Sequence, residues 1–447
     1  MNFWKANKVP FNGADCLMLA FDWQMKRLGF SGNQAQIILG LDGRISEPDL
    51  VDRIHALKLR FPILGAVIKR GFLNWNPYWK VNEKNGATGS CPLVRRHYAE
   101  NDGDLDLIKR DILNRRLDIH RGELFCFDLI YRGNSSDMSV IMTWSHMLMD
   151  VHGAEYFLAM VGCSVPIEKD CTQAGLLSGS YTNHLPVGSK WRQARKSFTW
   201  VDELGNKPPI SLYTRTNRPL APRLDYRVTA FTRSQTQTIS DLAEKSGGFL
   251  NESAYYIAAA MGEFSRLMES KGIFPDGYVM PMSIDLRKKG SRLPVFSNQA
   301  ATMLYGFKPE ELRSFGRILA SFTRQAQMAI REDLIASNVS AMELCRFVPS
   351  RFYARKIRQA FKGEIASVVF ANPGKAPAYL STFMARPVKY QHHVPTIVVP
   401  PGMGIVFYSF DQRLHITLVY VESMITPDEA EGFLEVVRRH LMSGQLI

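Results

Sequence analysis

One short stretch of the sequence combines a histidine, a carboxylate and a glycine at spacings that could support proton transfer. It runs from Ser145 to Gly153 and follows an apolar, strand-like run. A histidine at a strand end, facing a cleft, can take a proton near neutral pH. A glycine at the start of a helix lets backbone N–H groups face a developing oxyanion. His146 and Gly153 hold these positions, which would suit acyl transfer from a thioester to a hydroxyl or an amine.

Asp150 follows His146 by four residues in the same stretch. Its carboxylate could fix the loop by pairing with an arginine from elsewhere in the chain, or it could contact the imidazole. We favour the structural role, because a short loop must bend sharply to hold both side chains together.

The histidines of this stretch also have other interpretations. His146 alone could be a histidine that is hydrogen-bonded at a strand end. His152 could join His146 and Asp150 as a metal ligand, but this spacing is not that of a common zinc site, so we predict no metal.

Histidines and polar residues elsewhere in the chain have similar alternatives. His392 and His393 precede Pro395 and are predicted to lie in an exposed loop, with a substrate contact as the lesser option. Asp285 and Arg287 could form an ordinary ion pair. Asn298 could simply make a turn.

Strands and helices alternate on both sides of the candidate stretch. Apolar spacing predicts strands where runs are continuous and helices where the period is 3 to 4 residues. In the first half we expect strands at 33–42, after Pro62, at 124–131 and at 139–144, and helices at 48–59, 105–119 and 154–161.

The second half repeats this alternation after a change in composition. Residues 164–222 are rich in Ser, Thr, Asn and Pro, which places a domain junction there. We therefore divide the chain into a lobe at 1–175 that carries the histidine, a crossover linker at 176–222 and a second lobe at 223–447. Within the second lobe we expect helices at 235–246, 251–270 and 427–441, and strands at 278–284, 403–410 and 414–421.

The composition limits the possible classes of protein. The chain has 447 residues, of which 46% are hydrophobic, and a formal net charge of +13. This composition argues against disorder and coiled coil. No run reaches the length of a membrane span, and the N-terminus lacks a secretion-signal core, so we expect a cytoplasmic protein that could touch a membrane surface. Six scattered cysteines without a CxxC pair predict free thiols.

The positive charge favours an anionic partner. Zinc-finger and RNP-like patterns are absent from the sequence, so nucleic acid is a poor candidate, and a phosphate-bearing acyl donor or an acidic carrier protein suits better. Residues 350–362 place Arg351, Arg355, Arg358 and Lys362 on one helical stripe. This stripe predicts an amphipathic surface helix, with contact to an anionic membrane or an acidic carrier as alternatives. The basic and aromatic stretch at 190–200 adds weight to a peripheral surface role.

The stretch around His146 resembles the HxxxD acyltransferase superfamily, which includes chloramphenicol acetyltransferase, peptide-synthetase condensation domains, wax-ester synthases and alcohol acyltransferases. The usual pattern is His-His-x-x-x-Asp-Gly. Here Ser145 replaces the first histidine, and Gly153 comes two residues late. The resemblance extends to residues 59–66, to 280–287 followed by Asn298, and to 403–441.

This resemblance implies an α/β (α+β) fold of two chloramphenicol-acetyltransferase-like lobes, arranged as a pseudo-dimer with an active-site tunnel between them. His146 would be the general base, and Asp150 would pair with an arginine, for which Arg287 is the candidate. Gly153 would assist at the oxyanion. Arg287 and Asn298 are candidate substrate-binding residues.

The resemblance also implies the substrates. An acyl-CoA or a phosphopantetheinyl carrier protein would be the donor, an alcohol or an amine the acceptor, and no cofactor would be bound permanently. Two other functions remain open: a catalytically inactive, condensation-domain-like adaptor, and a metal-dependent hydrolase that uses His146, Asp150 and His152.

Overall fold

A computed structural model of the chain describes residues 8–71, 76–81, 93–133, 135–163, 186–215, 222–246, 251–288 and 290–446. Two six-stranded sheets form the centres of two lobes, and a small three-stranded sheet lies beside them. The small sheet consists of β1 (Lys8–Pro10), β3 (Val67–Arg70) and β4 (Pro77–Lys80). This mixed architecture of two lobes confirms the predicted fold class.

The first large sheet contains the strand that leads to His146. Its order is β12–β13–β2–β7–β6–β5. Its members are β2 (Gln34–Leu41), β5 (Val94–Ala99), β6 (Phe125–Arg132), β7 (Met138–Ser145), β12 (Thr382–Phe383) and β13 (Arg386–Val394). Every residue of β2 and β7 is buried. Burial of both faces explains why these strands are nearly continuous apolar runs in the sequence.

The second large sheet has the order β10–β9–β11–β14–β15–β8. Its members are β8 (Leu224–Ala230), β9 (Tyr278–Asp285), β10 (Ala300–Phe307), β11 (Val369–Lys375), β14 (Met403–Phe410) and β15 (Arg413–Val421). The turn between β14 and β15 places Asp411 and Gln412 at φ values of 50° and 60°. A two-residue turn with both central residues in this region matches the twist of a hairpin.

Helices cover the sheets and fill the space between the lobes. In the described residues they are α1 (Gly13–Arg27), α2 (Glu47–Arg60), α3 (Asp102–Asn114), α4 (Val151–Val161), α5 (Val187–Gly205), α6 (Leu212–Arg215), α7 (Arg233–Lys245), α8 (Asn251–Ser270), α9 (Phe315–Arg331), α10 (Leu334–Cys345), α11 (Ser350–Ala360) and α12 (Pro427–Ser443). Of these helices, none is both long enough and apolar enough to cross a bilayer.

The predicted start of α12 at residue 427 is confirmed. The hydroxyl of Thr426 accepts a hydrogen bond from the backbone N–H of Glu429 at 3.2 Å, and the Glu429 carboxylate accepts one from the Thr426 N–H at 2.8 Å. These reciprocal bonds satisfy two N–H groups that have no partner inside the helix.

The chain path differs from the predicted division into consecutive lobes. Strand β13 lies far along the second half of the sequence, yet it pairs with β2 of the first sheet, with His393 opposite Ile37. The prediction of an exposed loop at His392 and His393 is therefore wrong. His393 is only 4% exposed, because neighbouring strands and the second lobe cover this segment.

Part of the predicted linker is also structured. Residues 164–185 and 216–221 lie outside the described residues, but α5 occupies most of the segment between them. It packs against α10 through bonds such as the Ser197 N–H to the Ser337 hydroxyl at 2.8 Å. The amphipathic helix predicted at 350–362 is confirmed as α11.

Free thiols were predicted for all six cysteines. Cys16, Cys126, Cys163 and Cys345 are free. Cys91 and Cys171 lie outside the described residues.

Candidate active site

The loop between β7 and α4 carries His146 and is held from inside. Met147, Leu148 and Met149 are all fully buried. The indole N–H of Trp144 donates to the Met149 carbonyl at 3.0 Å. The backbone N–H of His146 donates to the Asn33 carbonyl at 3.0 Å, which ties the end of β7 to the residue just before β2. Apolar side chains and these two bonds therefore anchor the loop while its histidine stays on the accessible side.

The hydrogen bonds of Asn298 determine which ring nitrogen of His146 carries the proton. The Asn298 side-chain amide donates from Nδ2 to the His146 carbonyl and to Asp15 Oδ1, both at 2.8 Å. Its other end, Oδ1, can therefore only accept, and it lies 2.9 Å from His146 Nδ1. Nδ1 must then donate, which leaves Nε2 as the unprotonated nitrogen of the neutral ring.

Asp15 holds Asn298 in this orientation. Besides the side-chain bond, its Oδ1 accepts the Asn298 backbone N–H at 2.9 Å. Asn12 adds a bond from its Nδ2 to the Asn298 carbonyl at 2.9 Å. Burial raises the pKa of Asp15 to about 7, against the opposing effect of the Asn298 hydrogen bonds. The start of α1 thus fixes a residue from the other half of the chain, which in turn fixes His146.

Asp150 is the N-cap of α4 and is bound by four donors. Its Oδ1 accepts the Gly153 N–H at 2.9 Å, and its Oδ2 accepts the Gln299 N–H at 2.8 Å. Arg287 binds both oxygens, Oδ2 from Nη1 at 2.9 Å and Oδ1 from Nη2 at 3.0 Å. Burial alone would raise the pKa of Asp150, but the guanidinium and the two backbone donors outweigh it and lower that pKa.

The ion pair between Asp150 and Arg287 is buried and joins the two lobes. The side chains are 8% and 2% exposed. Arg287 also donates to the Pro294 carbonyl at 2.8 Å and to Asp285 at 3.1 Å. Both oxygens of the Asp150 carboxylate therefore accept from donors other than the imidazole.

Gly153 packs closely against the second lobe. A Cβ at this position would lie 2.3 Å from the Val295 carbonyl oxygen, so only glycine fits here without movement of the backbone. Its N–H group, which the sequence analysis assigned to the oxyanion, donates to Asp150 in the structure. The observed contacts of Gly153 are thus those of a helix cap and a close approach between lobes.

A cavity of about 620 Å³ lies between the lobes, and His146 lines it. Its wall is formed by α1, the β7–α4 loop, β9, β10, α5, α11 and the segment after β13, and it is mostly apolar. His146 Nε2 has no hydrogen-bond partner among the described residues. Burial lowers the pKa of His146, only partly opposed by the charge of Asp150. Burial therefore favours the neutral ring, whose Nε2 carries no proton, at the edge of the cavity.

The remaining predicted site residues differ in whether they line this cavity. Asp150 lines the cavity, whereas Arg287, Asn298 and Gly153 do not contribute to its lining. Arg287 and Asn298 contact Asp150 and His146, which line the cavity, and a direct contact of either with a substrate stays a prediction. Ser145 is buried outside the lining as well.

Two of the three candidate metal ligands, His152 and Asp150, contact different partners in the structure. His152 Nδ1 lies 3.2 Å from Glu155, and Asp150 is occupied by Arg287 and two N–H groups. Within the described parts of the chain, no group of three or more His, Cys, Asp or Glu side chains is placed to hold a metal ion.

The sequence interpretation missed Asp15 and Asn12. Asn12 and Asp15 form a capping box at the start of α1, and their spacing in the sequence is a signal for a helix start. That signal could have located the helix. It could not have shown the contact with Asn298, which is 283 residues from Asp15.

Solved structures with the same fold include condensation domains and an acetyltransferase. The first condensation domain of the calcium-dependent antibiotic synthetase, solved with a substrate analogue, has a TM-score of 0.67 at 14% identity over 97% of this chain and 95% of its own. The trichothecene 15-O-acetyltransferase of Fusarium sporotrichioides has a TM-score of 0.67 at 9% identity over 97% and 95%.

A third similar structure was solved as a complex with two ligands. A mutant of the starter condensation domain of rhizomide synthetase, in complex with C8-CoA and Leu-SNAC, has a TM-score of 0.65 at 13% identity over 98% of this chain and 94% of its own. No protein-family model matches this chain, and no curated protein sequence matches it significantly. The resemblance drawn from the sequence is confirmed at the level of the fold: the chain has the two-lobed architecture of these condensation domains and of the acetyltransferase.

Proposed function

We propose that this protein is an acyltransferase that moves an acyl group from a CoA or carrier-protein thioester to an alcohol or an amine, with His146 as the general base. The observation that carries this proposal is the chain of hydrogen bonds from Asp15 through Asn298 to His146 Nδ1. It leaves Nε2 unprotonated beside a cavity between two lobes. The fold shared with condensation domains and an acetyltransferase supports it.

In this mechanism Nε2 takes the proton of the acceptor's hydroxyl or amine as the acceptor attacks the thioester carbonyl. The C–S bond then breaks, and the imidazolium returns the proton to the leaving thiolate. Val151 and His152, in the first turn of α4, line the cavity, and the positive end of this helix would stabilise the negative oxygen. Here the helix terminus takes the role that the sequence analysis assigned to Gly153 alone.

Asp150 and Arg287 position the base in this proposal. Their ion pair fixes both the start of α4 and the loop before it. Asp150 therefore acts through the loop and not by accepting the proton from the ring, since its oxygens are already occupied by four donors.

Release of free thiol tests the proposed activity directly. Octanoyl-CoA and other acyl-CoA thioesters would be incubated with the protein and a panel of alcohols and amines. We expect thiol release that depends on the acceptor, together with formation of the acylated product. Thiol release without acylated product, abolished by a chelator, would support the metal-dependent hydrolase instead. If no pair of donor and acceptor is turned over, the result would support the catalytically inactive adaptor instead.

The pH dependence of the reaction should report the protonation of His146. Burial lowers the pKa of this imidazole, and the neutral ring is the active form. We therefore expect kcat/KM to be constant near neutral pH and to fall as the pH drops through a value below the ordinary 6.5 or so of histidine. The residual rate of His146→Ala should lack this acid limb. An acid limb centred well above pH 7 would contradict the assignment.

A further inference from the structure

A second concave site lies on the opposite side of the helix that walls the cavity. Tyr353 and Ile357 of α11 line the cavity, as does Lys356. Arg351 and Arg355 of the same helix line a separate groove of about 760 Å³. We call this site the basic groove. It is defined by residues of α1 and α11 and of the turn that follows α11.

The basic groove carries an unusual concentration of positive charge. Ten described residues line it, of which five are cationic and none is acidic. The cationic residues are Arg27, Arg351, Arg355, Arg358 and Lys362. Among the ion pairs of the described residues, none includes Arg27, Arg351, Arg355 or Lys362. Four of the five cations of the groove therefore have no paired carboxylate among the described residues, while Arg358 lies near Glu364.

This arrangement opposes the stability of α11. Arg351 and Arg355 are four residues apart within α11. Like charges at this spacing destabilise a helix. A bound anion would offset the repulsion, and guanidinium groups match phosphate oxygens in geometry and charge.

The groove also offers flat surfaces beside these charges. The Arg27 guanidinium lies 5.4 Å from the centre of the Trp23 ring, and that of Arg351 lies 4.7 Å from the Phe352 ring. Nucleic-acid bases stack on aromatic rings and on guanidinium planes. Cations and flat surfaces in one concavity suit a phosphorylated nucleotide better than the flat surface of a membrane.

The position of the groove relates it to the catalytic cavity. Lys356 is exposed to solvent and also lines the cavity, so the cavity opens beside α11. The groove lies on the opposite face of that helix, and a helix with its side chains is about 10 Å across. One extended molecule could therefore occupy both sites, with its charged end outside and its reactive end near His146.

We propose that the basic groove binds the phosphorylated adenosine end of a CoA thioester donor. This inference rests on the proposed acyl transfer and narrows it, because a carrier-protein thioester has no adenosine to place there. The guanidinium groups bind the phosphates, the flat surfaces hold the adenine, and the pantetheine arm enters the cavity beside Lys356.

Binding of adenosine 3′,5′-bisphosphate tests the groove without catalysis. Calorimetry should show that it binds the wild type and His146→Ala with equal affinity. The Arg351→Ala/Arg355→Ala variant should bind at least about tenfold more weakly, because each lost bond to a charged group corresponds to about that factor. Arg27→Ala, on another helix, should also weaken binding. The control Arg324→Ala/Arg331→Ala removes two exposed cations of α9 and should bind like the wild type.

Three results would overturn the inference. The bisphosphate could fail to bind the wild type, the groove variants could bind it normally, or the α9 control could lose as much affinity. Vesicles of phosphatidylglycerol that bind through these arginines when the bisphosphate does not would show a membrane surface instead.

Kinetics separate this inference from the proposed function. For the groove variant we expect a KM for acyl-CoA that is raised about tenfold or more, with the KM for the matching acyl-pantetheine unchanged. An equal rise for both donors would overturn the inference. If the wild type binds the bisphosphate through the groove but transfers no acyl group, the groove stands as a nucleotide site and the proposed acyl transfer fails.

Discussion

Replacement of His146 by alanine is expected to lower kcat for acyl transfer by about 10²–10⁴-fold, the usual contribution of a general base. The variant keeps the cavity, the ion pair of Asp150 and the positive end of α4, so it should still bind the donor. We therefore expect the loss in kcat rather than in KM. Thiol release and product formation in the steady state measure both constants.

His152→Ala is the matched control for this prediction. His152 lines the same cavity, but its Nδ1 lies beside Glu155 and not beside Asn298. We expect the control to lose less than about tenfold in kcat, short of the general-base contribution. Circular dichroism and a cooperative thermal transition should show that both variants are folded. Nearly full activity of a folded His146→Ala protein would refute the role of this residue.

Replacement of Asp150 by alanine is expected to lower the free energy of unfolding by about 3–5 kcal/mol, because it leaves the buried Arg287 guanidinium without its carboxylate. It also removes the acceptor for the N–H groups of Gly153 and Gln299. The loop that carries His146 should loosen, so kcat should fall as well. Denaturation in urea measures the stability.

Two variants show whether the buried pair causes this loss. Asp285 also contacts Arg287, but its side chain is 40% exposed, so Asp285→Ala should cost less than about 1 kcal/mol. Asp150→Leu/Arg287→Met replaces both charges and should recover part of the stability lost by Asp150→Ala. An Asp150→Ala protein as stable as the wild type would contradict the role of the ion pair.

The pH dependence of the free energy of unfolding should also reflect the ionised carboxylate of Asp150. The low pKa of Asp150 stabilises the protein above the pKa of the unfolded carboxyl, and this stabilisation is lost as the pH falls through the folded value. Asp150→Ala should therefore lose less stability than the wild type on acidification.

Local sequence patterns predicted most of the regular elements. Strand β14 begins and ends where its apolar run does, and α8 matches the predicted helix at 251–270. Such elements depend on periodicity and caps that lie within a few residues of one another. The same holds for α12, whose capping box is read directly from Thr426 to Glu429.

These local patterns could not predict contacts between residues that are far apart in the sequence. His392 and His393 look polar in the sequence, but β13 becomes buried because it pairs with β2 in the other half of the chain. Helix α5 follows a long polar segment, and its burial depends on α10, which the local sequence does not reveal.

The candidate site likewise combines a local motif that the sequence could predict with long-range contacts that it could not. His146 and Asp150 share a short motif and could be identified together. The contacts that fix them come from Asp15, Asn298 and Arg287, which are brought near only when the two lobes pack. Of these, the sequence pointed to Arg287 and Asn298 through a family resemblance and offered no sign of Asp15.

The tautomer of His146 tests the proposed catalytic role most directly. Nitrogen NMR of protein labelled at histidine, with the His146 signals identified by their absence in His146→Ala, distinguishes a protonated from an unprotonated ring nitrogen. We predict that at pH 7 the proton is on Nδ1, that Nε2 carries none, and that the ring titrates below the ordinary pKa of histidine. A proton on Nε2 at pH 7, in either the neutral or the charged ring, would contradict the proposal that His146 is the base.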